Sequence, residues 1–127
     1  MRGVTQRTTG NPHGECVRAS YATLLSLPIE LVPALDPGSL LPGERQAARE
    51  RNWLSMLGLS LREIPAEKAH TVPPAVLGAP HLVSGLSPRG FYHRCVGQHG
   101  KVLFDPHPSR AGLVTITSLG FLVPRGG

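Results

Sequence analysis

Three residues in this sequence, Cys16, His93 and Asp105, have side chains that together suit nucleophilic catalysis. A cysteine thiol becomes a strong nucleophile when a base removes its proton, and an imidazole is the usual base. A carboxylate that accepts a hydrogen bond from one imidazole nitrogen leaves the other nitrogen to face the thiol. The set therefore predicts a nucleophile, a general base and a residue that orients the base.

A helix is predicted to begin at Cys16, within the segment ECVRASYATLLSL. Most of its apolar residues recur at intervals of three or four, as on the buried face of a helix. Gly14 fits a loop before the helix, and Pro28 ends it. Free N–H groups at a helix N-terminus favour a thiolate and can stabilise an oxyanion, so we expect a lowered pKa for the Cys16 thiol.

His93 and Asp105 fall on a predicted β-hairpin. Phe91–Gly97 and Lys101–Asp105 are its strands, and Gln98–Gly100 between them predicts a short turn. Paired strands lie side by side, so the carboxylate of Asp105 is expected within reach of the His93 ring.

The remaining pattern predicts an α+β fold in which helices come first and an antiparallel sheet follows. A second helix is predicted over Gly43–Leu57, with Gly58 as its C-terminal cap. Residues 28–43 predict an irregular connection, and residues 65–79 match no element. The length of 127 residues suits one domain over 1–127. Further strands are predicted at Leu59–Ile64, His81–Leu86, Leu113–Thr117 and Gly120–Val123.

Two segments resemble papain-like cysteine peptidases. GECVRASYATLLSLPIELVP is similar to their nucleophile helix, in which Gly-x-Cys opens an apolar helix. HRCVGQHGKVLFDPHP resembles the His–hairpin–Asp-Pro segment of the double-glycine peptidases and of small bacterial and phage proteins with a papain-like core. The resemblance covers residues 6–24 and 84–110. It implies a minimal papain-like core, with the nucleophile helix packed on a C-terminal antiparallel β-sheet.

The resemblance also implies an activity and its residues. A cysteine hydrolase of this kind cleaves a peptide, isopeptide or related amide bond through a thioester intermediate. Carried over by position, Cys16 is the nucleophile, His93 the general base and Asp105 the residue that orients it. Gln6 and Asn11 are the two candidates for a side chain in the oxyanion hole. No cofactor or metal is needed, and the expected partner is a peptide or protein substrate.

The basic composition first suggests a nucleic-acid partner, since the formal net charge is +5. The arginines are scattered, however, and only six aromatic residues are available for base stacking, so nucleic-acid binding is disfavoured. Arg89 and Arg110 lie on the loops Gly85–Gly90 and Pro106–Gly112, which are predicted to flank the cleft. They either bind acidic or carboxylate groups of a substrate or are solvated loop charges.

Two other functions stay open at this point. The same fold can capture a peptide or protein without turnover, as an inactive binding module. Alternatively, His13-x-x-Cys16 and His93-x-Cys95 together supply a Cys₂His₂ set that zinc takes tetrahedrally. In the hydrolase hypothesis, Cys95 shares a sheet face with His93 and is expected to pack in the core.

The cysteine count and hydropathy predict the compartment. Two cysteines are too few for a disulfide scaffold. No apolar run approaches the roughly 20 residues of a membrane span, and the N-terminal residues have no apolar signal core. These features predict a cytoplasmic protein with reduced thiols and no membrane partner.

Overall fold

The fold is α+β, with a helix near the N-terminus and a five-stranded antiparallel sheet in the order β1-β5-β2-β3-β4. The computed structural model describes residues 1–9 and 14–126. Three short 3₁₀ helices, at Ile29–Leu31, Pro37–Ser39 and Ala66–Thr71, lie in the connections. The helices and strands are α1 (Cys16–Leu24), α2 (Gln46–Met56), β1 (Leu59–Pro65), α3 (Pro74–Leu77), β2 (His81–Leu86), β3 (Tyr92–Gln98), β4 (Lys101–Phe104) and β5 (Thr115–Pro124).

The predicted helices are both present, with shorter ends. α1 begins at Cys16 as expected, and α2 ends before Gly58, whose φ of +75° is the left-handed conformation of a helix C-cap. The unassigned segment 65–79 holds the third 3₁₀ helix and α3. Among the described residues, no helix is long and apolar enough to cross a membrane.

The two predicted C-terminal strands are one strand, β5, so their separation at residues 118–119 was wrong. β5 pairs with β1 along one edge and with β2 along the other. These pairings keep Ser118 and Leu119 in register with both neighbours, opposite Pro65 and Ile64 on β1. The central position of β5 explains the continuity, because neighbours on both sides hold the backbone extended.

Both faces of the sheet are covered. Leu82 and Val83 are successive residues of β2, so their side chains point to opposite faces. Leu82 packs with Tyr21 of α1 and Leu54 of α2. Val83 belongs to a second buried cluster, in which Cys95 and Leu119 are also found, packed with Ala69, Val72 and Leu77 of the 66–77 segment.

The predicted hairpin is confirmed as β3 and β4. Gln98 pairs with Lys101, which leaves His99 and Gly100 as a two-residue turn. Their φ values of +55° and +73° match the type I′ turn that suits the twist of paired strands. The register shifts between Val96 and Gly97, and the turn together with this bulge places Asp105, directly after β4, beside the beginning of β3.

Gly85 is a position where the sheet tolerates no side chain. The register of β2 against β5 shifts between Ser84 and Gly85, and a Cβ on Gly85 would lie 1.8 Å from Thr115 O. We expect Gly85→Ala to lower the free energy of unfolding by about 3 kcal/mol or more, measured by urea denaturation. Gly43→Ala is the control, because no described atom lies within 4 Å of its Cβ and only its φ of +84° is unfavourable. A loss of about 1 kcal/mol is expected there, and equal losses in the two variants would contradict the steric explanation.

Candidate active site

Cys16 lies at the first position of α1, and the carboxylate of Asp36 caps that end of the helix. Asp36 Oδ2 accepts the N–H of Val17 at 2.9 Å, and Oδ1 accepts the N–H of Arg18 at 3.1 Å. The Cys16 Sγ lies 3.7 Å from Asp36 Oδ2. A negative charge therefore lies beside the thiol and occupies two of the helix N–H groups.

This environment shifts the pKa of the Cys16 thiol in the direction opposite to the one predicted. Burial raises the pKa of Cys16 to about 12, and the charge of Asp36 adds to the rise. The backbone N–H and the positive charge of Arg94 lower the pKa of the thiol, but by less. The lowered pKa predicted for a cysteine at a helix N-terminus is therefore wrong, and the thiol is protonated at neutral pH.

His93 and Asp105 form a buried hydrogen-bonded pair. His93 Nε2 and Asp105 Oδ1 are 2.6 Å apart, and both side chains are more than nine-tenths buried. Asp105 also accepts the N–H of His107 at 2.9 Å and the N–H of Gly112 at 2.8 Å. Burial alone raises the pKa of this carboxyl, but the hydrogen bonds from His93 and the two N–H groups outweigh it and hold the pKa at about 2.

The pair leaves one nitrogen of His93 uncommitted to Asp105. Because Nε2 faces the carboxylate, Nδ1 is the ring nitrogen available to another group. His93 lines a cavity of about 210 Å³, and Cys16 lines the same cavity. The hairpin and the N-terminal end of α1 thus bring the three residues predicted to act together into one region.

Of the two oxyanion-hole candidates, Gln6 lies at this cavity. Its side chain is buried, its backbone N–H donates to Pro106 O at 2.9 Å, and its Nε2 donates to Thr8 O at 2.7 Å. Because a carbonyl oxygen only accepts, this contact fixes the orientation of the amide. Gln6 Oε1 is buried and has no hydrogen-bond partner among the described residues. The other candidate, Asn11, lies outside the described residues.

The two candidate substrate-binding arginines occupy different places. Arg89 lines the cavity and contacts Ser109 Oγ at 3.2 Å. Arg110 donates to the carbonyl oxygens of Asp105 and His107 at 2.8 and 3.0 Å, and its guanidinium lies 4.6 Å from the centre of the Phe104 ring. Arg110 is not among the described residues that line the cavity, and its contacts brace the loop that carries Asp105.

The predicted zinc set is only partly within the described residues, because His13 lies outside them. A different set is close together: one possible ligand atom each from His93, Cys95 and Asp105, all within 4.8 Å of one another. A metal at this place would replace the hydrogen bond between His93 and Asp105. It would also need a thiolate at Cys95, a fully buried residue whose pKa is raised by burial and by Asp105. Both Cys16 and Cys95 are free thiols.

Sequence reasoning missed Asp36 and Ser87. Asp36 lies 20 residues after Cys16 in a connection rich in proline and glycine, where spacing gives no signal for contact with a helix. Ser87 lines the cavity, and its buried Oγ has no hydrogen-bond partner within residues 1–9 and 14–126. Its only sequence signal was its place in the loop predicted to flank the cleft. His107, which follows Asp105 in the predicted loop, also lines the cavity.

Comparisons with protein-family models, curated proteins and solved structures find no match to this chain. The similarity of its two segments to papain-like peptidases therefore stays a prediction.

The low pKa of Asp105 predicts a specific pH dependence of stability. A carboxyl with a folded-state pKa of about 2, against roughly 3.9 when unfolded, stabilises the fold above pH 4 and loses that contribution as pH falls toward 2. The quantity of interest is the unfolding free energy of the parent protein minus that of Asp105→Asn. We expect this difference to be larger at pH 6 than at pH 2 by roughly 2 to 3 kcal/mol. Urea denaturation across this range measures the difference, and other carboxyls cancel because both proteins share them. A difference that is constant with pH would contradict the assignment.

Removing the charge of Asp36 is expected to activate the thiol. In Asp36→Asn the amide oxygen can still accept a helix N–H, but the negative charge 3.7 Å from Sγ is lost. The pKa of Cys16 should fall, and its alkylation by iodoacetamide at pH 8 should accelerate roughly 3- to 10-fold. Peptide mass spectrometry assigns the label, with Cys16→Ser as the blank and Glu67→Gln, an exposed site, as the charge control. Unchanged or slower labelling would show that Asp36 does not suppress the thiolate.

Proposed function

We propose that this protein is a cysteine-dependent hydrolase with a papain-like core, which cleaves a peptide, isopeptide or related amide bond. One observation carries the proposal: His93, held by Asp105 through Nε2, lines the same cavity as Cys16. The ring nitrogen not used by Asp105 is thereby left to exchange a proton with the thiol. That relation between nucleophile, base and orienting carboxylate is what acyl transfer requires.

The raised pKa of Cys16 decides how the nucleophile is activated. A thiol with a pKa of about 12 is not ionised beforehand, so His93 Nδ1 takes its proton as Sγ attacks the carbonyl carbon. The new S–C bond moves an electron pair onto the carbonyl oxygen. The resulting imidazolium is stabilised by Asp105, which stays ionised because of its low pKa.

Hydrogen-bond donors near the beginning of α1 stabilise the oxyanion. Val17 and Arg18 already donate to Asp36, while the N–H of Cys16, as the first residue of the helix, has no intrahelical acceptor. Gln6 uses one Nε2 hydrogen for Thr8 O and has a second to offer. We assign the Cys16 N–H and this second amide hydrogen to the oxyanion.

Proton return from His93 completes the cycle. The imidazolium gives its proton to the leaving amine, the C–N bond breaks and a thioester remains on Cys16. Water then attacks the thioester while His93 takes one of its protons. The C–S bond breaks, the carboxylic acid leaves, and the proton returns to the thiolate.

An inactive binding module is the second candidate, and the state of the thiol favours it. Burial and Asp36 hold Cys16 protonated, and the cavity beside it can bind a peptide without cleavage. The two functions differ in one observable. A hydrolase forms an acyl-enzyme at Cys16 and hydrolyses it, whereas a binding module does not.

We expect p-nitrophenyl acetate to acetylate Cys16 and to be turned over. The measurements are the burst of p-nitrophenol per protein and the acetyl mass on the Cys16 peptide. His93→Ala should slow acylation at least about tenfold, because the thiol loses its base. His70→Ala, an exposed histidine in the third 3₁₀ helix, is the matched control and should not change the rate. Acylation of Cys16 that is independent of His93, or acylation without turnover, would contradict the hydrolase.

A further inference from the structure

A second cavity adjoins the first at Cys16 and His93, and its other lining residues are mostly different. It has a volume of about 300 Å³ and shares four lining residues with the first: Cys16, Pro37, Tyr92 and His93. A cleft that continues on both sides of the nucleophile suits an extended chain with residues on either side of the reacting amide. We call the first cavity the Arg89 pocket and the second the Glu63 pocket, after a charged residue in the lining of each.

The Arg89 pocket offers unused hydrogen-bonding groups around a cation. No carboxylate of the described residues pairs with Arg89, whose guanidinium contacts Ser109 Oγ. Ser87 Oγ is buried and has no partner in the part of the chain that the structure describes. It lies in a turn fixed by hydrogen bonds from Ser87 N–H to Phe91 O and from Gly90 N–H to Ser87 O. A buried hydroxyl with no partner costs free energy unless a ligand satisfies it.

This pocket also has a negative charge, on the side formed by the end of α1. Asp36 lines it too, but its oxygens accept the N–H groups of Val17 and Arg18 at the end of α1. Arg89 and Ser87 lie instead on the connection between β2 and β3. His107, from the loop after β4, also lines this pocket, but burial and the charge of Arg89 lower the pKa of its imidazole. The positive charge on the side of the pocket away from the helix is therefore that of Arg89.

The Glu63 pocket has the opposite polarity. Its one lining cation among the described residues, Arg94, is bound to the buried carboxylate of Glu50 at 2.5 Å, and Tyr21 also donates to Glu50 at 2.7 Å. Glu63 is exposed and forms no ion pair within the described ranges. Arg94 is therefore paired directly with Glu50, whereas Glu63 acts on Arg94 only at longer range and has no direct ion-pair partner among the described residues.

We propose that the cleft selects an extended polypeptide with an acidic side chain in the Arg89 pocket and a basic side chain in the Glu63 pocket. The carboxylate is bound by the Arg89 guanidinium and the Ser87 hydroxyl, and the cation by Glu63. This inference rests on the proposed function for the position of the reacting amide between the two pockets. The substrate is thus a polypeptide with charges of opposite sign on either side of that amide.

Alkylating probes of matched size test this selection. Iodoacetyl-Glu-amide, iodoacetyl-Lys-amide and the neutral iodoacetyl-Gln-amide place a side chain on whichever side of Cys16 accepts it. Each labelling rate is divided by the rate with iodoacetamide in the same protein, which removes differences in thiol reactivity. We expect both charged probes to react about 3- to 10-fold faster than the neutral one at low salt, and the advantage to shrink at 0.5 M salt.

Charge-reversal variants assign each advantage to one pocket. Arg89→Glu should abolish the advantage of the acidic probe alone, and Glu63→Lys that of the basic probe alone. Ser87→Ala should reduce the rate advantage of the acidic probe even though Arg89 is still present. Arg125→Glu and Glu67→Lys are exposed controls outside both pockets and should leave the ratios unchanged.

Several outcomes would overturn the selection without touching the proposed function. Equal normalised rates for all three probes would do so, as would an advantage that survives both reversals. In either case, acylation of Cys16 that depends on His93 would still support the hydrolase. Conversely, the charge preferences could be found while acylation of Cys16 does not depend on His93. That result would support a binding cleft and contradict the proposed hydrolase.

Discussion

The carboxylate of Asp105 is the junction on which the site depends. It accepts hydrogen bonds from the His93 ring and from the backbone N–H groups of His107 and Gly112. Three donors on one buried carboxylate outweigh the cost of removing its charge from water, which is why its pKa falls despite burial. One side chain thus sets the rotation of the base and the path of the loop that forms one wall of the cavity.

The same loop ties the N-terminal segment to the sheet. Pro106 O accepts the N–H of Gln6, and Arg110 reaches from the carbonyl of Asp105 to the hydroxyl of Thr5. Gln6 therefore lies at the cavity as a consequence of how Asp105 is held. Arg110 was predicted either to bind a substrate or to be a solvated loop charge. Its contacts hold the loop that carries Asp105, so its influence on the site is exerted through Asp105.

Sequence reasoning succeeded where contacts are local and failed where they are not. The hairpin was predictable because Gly100 and the flanking alternation determine a tight turn. The register shift between Val96 and Gly97 was not predicted, and it is this bulge that places Asp105 on the face of β3 that carries His93. The ionisation of Cys16 was not predictable, because it depends on Asp36, which lies 20 residues later, in the irregular connection that follows α1. The periodicity that identifies α1 says nothing about which distant carboxylate caps it.

A buried ion pair on the face of β3 opposite His93 fixes the position of Cys16 relative to His93. Arg94, next to His93, points to the helices and is bound to Glu50 of α2, to which Tyr21 of α1 also donates. Such a buried pair adds little net stability. It does restrict how α2 and β3 are placed, because separating the two charges would leave each one buried and unpaired, at a large cost in free energy. Ser20 of α1 donates to Arg94 O, and the N–H of Arg94 helps to moderate the pKa of Cys16. Strand alternation therefore lets residue 94 dock the nucleophile helix while residue 93, on the other face, keeps its ring for Asp105 and the cavity.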